Sequence, residues 1–163
     1  QVEALLGIPQ IDTPLGLRTG VVLPLTASAT GLAFAAFYRS PYLRKMLDCE
    51  VQAMAEARNA TPSALLEELT VRLDEIRRRG IARASGSVNP GINGFSAPVF
   101  DHTGHMVAAI TSLGIIGSFD LDWDSPMAQS TRDAAATLSR RLGHGSVDSS
   151  GGGKQPAPAR ASL

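Results

Sequence analysis

The chain has 163 residues, 44% of them apolar and 18% charged, which is the size and composition of one domain able to bury a core. Its 15 Lys and Arg balance 15 Asp and Glu, so the chain alone lacks the basic excess of a module that grips nucleic-acid phosphates. A single cysteine, Cys49, rules out an internal disulfide, and no apolar run is long enough for a membrane span, so a reducing, cytoplasmic setting without membrane contact is expected.

Residues 2–8 and 15–25 carry apolar residues broken by Pro9, Pro14, Gly16 and Gly20, which predicts two short strands and a turn, the second strand ending at Pro24. Small and hydroxyl residues follow, and Thr30 is expected to cap a helix starting near Gly31 by accepting a bond from a first-turn amide. Ser40-Pro41 repeats that logic with proline at the first helical position, opening a helix through Leu43, Met46 and Leu47 toward Met54. After the break at residues 59–62, residues 63–79 form the clearest helix of the chain. Leu65, Leu69, Leu73 and Ile76 fall on one stripe, Arg77, Arg78 and Arg79 suit the negative end of the dipole, and Gly80 supplies a left-handed cap.

Residues 91–114, GINGFSAPVFDHTGHMVAAITSLG, predict a hairpin beside a small cavity. Residues 95–100 and 106–113 are β-type apolar runs, and Asp101-His102-Thr103-Gly104 supplies the turn. Gly91 and Gly94, just ahead of the first run, leave main chain unshielded by side chains, as a small-molecule site requires. The last helix is expected to start at Ser125-Pro126 and to bury Met127, Thr131, Ala134, Ala135, Leu138 and Leu142 before Gly143 ends it. Residues 144–163, rich in Gly, Ser, Ala and Pro, have the composition of a disordered tail. Strands grouped among helices without strict alternation indicate an α+β sheet with helices packed on it.

Four segments in order, LPLTASATG (23–31), LLEELTVRLDEIRRRGIA (65–82), the hairpin sequence above and AAATLSRRLG (134–143), resemble the effector-binding domain of the IclR family of transcriptional regulators. The resemblance implies a GAF-like fold, a curved antiparallel sheet with flanking helices, over residues 1–143. It also implies a winged helix-turn-helix domain N-terminal to a chain that begins here at Gln1, with DNA bound only through that absent domain. A homodimer or homotetramer is implied, with no cofactor and no catalytic residue.

Transferred position by position, the resemblance puts an effector pocket at Ala29, Thr30 and Gly31, at Ile92 and Gly94, and at Thr111 and Leu113. The resemblance implies an organic or aromatic acid as effector, and the amides and positive dipole end at the helix start suit its carboxylate. Residues 84–90 (ASGSVNP) and Leu113 depart from the more polar pattern of some relatives, which favours a bulkier or more apolar effector.

Other readings of the chemical residues remain beside this one. His102-x-x-His105 with Cys49 suggests a small metal-dependent enzyme, but a zinc site needs three or four converging ligands and histidines in a turn are routine. Asp120-x-Asp122-x-Asp124 imitates the start of a calcium loop, yet Ser125 and Thr131 stand where it needs glycine and glutamate. Ser28 lacks the frame of a nucleophile elbow, and Asp48 and Glu50 beside Cys49 disfavour a thiolate. A ligand-free oligomerisation domain, with the glycines serving only turns, is the third alternative.

Overall fold

The computed structural model describes Gly20 and residues 22–145. The strand expected at residues 2–8 and most of that at 15–25 lie outside the described residues. Within them, residues 22–24 have no regular structure and 25–27 form a turn, so the second strand does not reach Pro24.

Seven elements follow in chain order. They are α1 (Ala29–Phe37), α2 (Pro41–Arg58), α3 (Pro62–Arg79), β1 (Ala82–Ser85), β2 (Ile92–Phe100), β3 (Met106–Ile115) and α4 (Pro126–Arg141). The strands form an antiparallel sheet in the order β1-β2-β3, which makes the fold α+β as expected. Thr61 and Ser125 cap α3 and α4 with their hydroxyls, each followed by proline, and Gly80 ends α3 at φ 68°.

The caps of the first two helices differ from expectation. Ser28, not Thr30, caps α1, accepting from the Gly31 amide at 2.8 Å, because the helix begins at Ala29 and Thr30 is already inside its first turn. Ser40 precedes Pro41 but makes no side-chain cap bond, and α2 runs past Met54 to Arg58, ending at Asn59 in the left-handed region.

Alternation along β2 separates two cores. Phe95, Ala97 and Val99 join Ile81, Phe119, Ala128 and Ala135 under α4. On the other side, Leu32, Ala33 and Ala36 of α1 pack with Val51, with Leu69, Leu73 and Ile76 of α3, and with Ala82 and Met106. The α3 stripe is therefore core, with Leu65 packed at its margin. Pro98 lies beyond β1, whose four residues pair only with Asn93 to Ser96, so the residue without an N–H has a partner strand on one side alone.

The buried face of α4 is Ala128, Thr131, Ala135 and Ser139, while Met127, Ala134, Leu138 and Leu142 are exposed. Small residues let the helix lie close on the sheet. The polar pair is satisfied there: Thr131 Oγ1 shares a 2.8 Å bond with Ser112 Oγ, and Ser139 Oγ accepts from the Phe100 amide at 3.0 Å.

Candidate functional site

The start of α1 is held from three directions. Ser28 Oγ donates to the Pro24 carbonyl at 2.8 Å, and the Glu50 carboxylate of α2 accepts from the Leu25 amide, the Thr26 amide and the Thr26 hydroxyl at 2.9 to 3.0 Å. Gly31 is pressed against the main chain of Pro24 and Leu25, so closely that a Cβ there would meet the Pro24 carbonyl oxygen. It serves the close approach of loop to helix.

Across from this loop stand β2 and β3. Gly94 pairs with Leu113, and Ser96 with Thr111. Thr30 Oγ1 lies 2.9 Å from Thr111 Oγ1, which in turn lies 2.9 Å from Ser96 Oγ, so three hydroxyls from three elements form a chain. A Cβ on Gly94 would stand 3.8 Å from Ala29 Cβ and 2.7 Å from the δ2 methyl of Leu113. The structure therefore brings Ala29, Thr30, Gly94, Thr111 and Leu113 together. Gly31 lies behind them against the loop, and Ile92 lies at the far end of the β2–β3 ladder, paired with Ile115.

Gly94 is inside β2 rather than ahead of it, because pairing with β1 and β3 carries the strand back to Ile92. It is buried under Leu113 rather than bare. Gly91, at φ 96°, makes the turn into the strand.

Two open hollows lie elsewhere. One of about 1500 Å³ runs between the α1–α2 corner, α3 and the β2–β3 turn, lined among others by Phe37, Arg44, Leu73, Arg77 and Met106. The other, about 320 Å³, is lined by Thr26, Ala27, Val51, Met54, Arg58, Leu65, Glu68, Leu69, Arg72 and Ser87. Hydropathy gives no signal for the second, since it joins residues of four separate segments.

The other chemical residues have local partners. Asp101 Oδ1 accepts from the Thr103 hydroxyl at 2.6 Å, the Thr103 amide at 2.8 Å and the His105 amide at 3.1 Å. The Thr103 hydroxyl bond, followed by these amides and the charge of His102, outweighs desolvation and holds the Asp101 carboxyl below the ordinary aspartate range. His102 and His105 are exposed, and among the described residues no group of three His, Cys, Asp or Glu is placed to hold a metal. Asp120 and Asp122 each accept the amide two residues on, at 2.8 Å, so the acidic run builds turns leading into α4. Cys49 is exposed. Among the described residues no helix is long and apolar enough to cross a membrane.

Among curated proteins, none matches the chain. Among solved structures, HmgR of Pseudomonas aeruginosa is similar at 32% identity and a TM-score of 0.65, over 80% of this chain and 50% of that one. IclR of Thermotoga maritima is similar at 26% identity and 0.60, over 80% and 52%. The repressor BlcR of Agobacterium tumefaciens shares the fold at 23% identity and 0.61, over 79% and 51%. The chain thus spans about half the length of these relatives. The profile of the family described as bacterial transcriptional regulator IclR, C-terminal, matches residues 9–140, a family of regulators rather than enzymes. With the profile covering most of the sequence, the chain belongs to the family of IclR C-terminal domains of bacterial transcriptional regulators.

Proposed function

We propose that this chain is the effector-responsive half of a DNA-binding transcriptional regulator. A small organic or aromatic acid binds beside Thr30 and Thr111 and shifts a homo-oligomer between arrangements of different DNA affinity, DNA being read by a separate domain. The observation that carries this reading is the 2.9 Å bond between Thr30 and Thr111, which joins the start of a helix to the sheet across 81 residues of sequence. The Gly31 amide is already taken by Ser28, and no acceptor among the described residues takes the Ala29 and Thr30 amides. Those donors and the positive dipole end favour an anion. Leu113 closes the recess over Gly94, so the ligand enters as that side chain swings away. The apolar character of Leu113 suits an acid with an aromatic or alkyl body.

Reciprocity requires that an acid weakening operator affinity be bound more weakly by the DNA complex. The test is thermal unfolding of the intact regulator with benzoate, phenylacetate and pyruvate, in the native sequence and in Thr111→Val. A rise in Tm that disappears in Thr111→Val supports the site. Absence of any shift, with Gly94→Leu leaving the DNA response of the intact regulator unchanged, favours a ligand-free oligomerisation domain, the reading to which the closed packing at Gly94 also corresponds.

A further inference from the structure

The 320 Å³ hollow beside residues 26–27 is of a size that takes a small molecule, at the low end of the roughly 300 to 1,000 Å³ of such sites. Its floor is apolar: Val51 and Leu69 are buried, and Met54 and Leu65 are half-buried. Two guanidinium groups line it, Arg58 from the end of α2 and Arg72 from the middle of α3, and one carboxylate, Glu68.

Neither arginine is used up by the fold. The Arg58 guanidinium makes no hydrogen bond or ion pair among the described residues. Arg72 spends one N–H, from Nη2, on the Arg83 carbonyl at 3.3 Å. Arg83 itself is drawn away, its guanidinium 4.1 Å from the Trp123 ring centre and donating to the Leu121 carbonyl at 2.6 Å. A guanidinium carries five N–H donors in a planar fork matched to a carboxylate. Desolvation lowers the Arg72 pKa, Glu68 opposes that shift, and Arg83 adds to it, so a negative charge against Arg72 favours its charged form as Glu68 does.

We infer that this hollow is a second small-molecule site, taking a monocarboxylate with a short alkyl or aromatic body, the carboxylate clamped by Arg58 and Arg72 and the body lying on Met54, Leu65 and Leu69. It goes beyond the site proposed at Thr30 and Thr111, whose residues line none of it. Thr26 and Ala27 form one wall, and they belong to the loop that Glu50 holds and from which Ser28 caps α1. A ligand here therefore touches the segment that sets the start of α1.

The test measures binding of hexanoate and benzoate to the intact regulator by calorimetry, in the native sequence and in Arg72→Met, Arg58→Met, Glu68→Gln and Thr111→Val. Arg72→Met is expected to weaken binding about ten- to a hundred-fold and Arg58→Met less, because a charged hydrogen bond is lost in each. Glu68→Gln, which removes the competing negative charge, is expected to tighten binding several-fold, a gain that a misfolded variant cannot imitate. Thr111→Val leaves binding here unchanged. The proposal is overturned if neither acid binds, if Thr111→Val abolishes all binding while Arg72→Met does not weaken it, or if Glu68→Gln fails to tighten it. The proposal at Thr30 and Thr111 fails separately, on the Thr111→Val response alone.

Discussion

The δ2 methyl of Leu113 stands 2.7 Å from the point a Cβ on Gly94 would occupy, so the recess left by the glycine is filled by its cross-strand partner. The obstacle is the far end of a flexible side chain. Gly94→Ala should therefore cost only about 1 kcal/mol of stability, and less in a Leu113→Ala background. A double-mutant cycle by urea unfolding should show coupling of about 0.5 kcal/mol or more. Strict additivity contradicts the packing described.

Gly31→Ala should behave differently. The added methyl meets main chain, the Pro24 carbonyl oxygen and the Leu25 Cα at 2.7 Å, which cannot turn aside. A loss of about 3 kcal/mol or more is expected. Denaturant midpoints equal to those of Gly94→Ala would show that the loop yields freely.

Ser28→Ala removes the cap of α1 and should cost about 1 kcal/mol, with faster hydrogen exchange at the Gly31 amide. Thr30→Ala removes the bond to Thr111 and should cost a similar ~1 kcal/mol while leaving that amide protected. Exchange at Gly31 thus separates cap from cross-element bond, and faster exchange in Thr30→Ala contradicts the assignment.

The Asp101 carboxyl, held low chiefly by the Thr103 hydroxyl, favours the folded state above the unfolded aspartate pKa of about 3.9. That contribution is lost as pH falls below this value through the folded pKa. An NMR titration should place Asp101 below the usual range and show it moving up in Thr103→Val. No movement would shift the cause to the backbone amides.

Ile76→Ala should cost about 2 to 5 kcal/mol, since Ile76 is 1% exposed in the α3 core. Leu138→Ala, on the open side of α4, should cost well under 1 kcal/mol. Comparable losses would mean that the stripe of large residues on α4 is covered in solution.

That contrast marks where the sequence was legible. The α3 stripe, its arginine-rich end and Gly80 follow a 3.6-residue period whose large residues are also its buried ones. On α4 the large residues misled, because Thr131 and Ser139 can be buried once Ser112 and the Phe100 amide accept or donate to them, and hydropathy cannot see partners 19 and 39 residues away. The hairpin was plain from its turn chemistry, but the start of β2 was not, since Gly94 reads as a breaker until two neighbouring strands pair with it. For the candidate site, resemblance named residues that do meet, while Leu113 over Gly94 and the Arg58–Arg72 hollow depend on side-chain positions and helix approach that no linear pattern records.

Three hydroxyls, on Thr30, Thr111 and Ser96, own three protons but share two bonds, so one proton is left over. Ser96 is fully buried and meets no other acceptor among the described residues, so a proton turned outward from it would be stranded. The surplus proton therefore falls to Thr30 or Thr111, which leaves one hydroxyl free to donate to a newcomer rich in lone pairs.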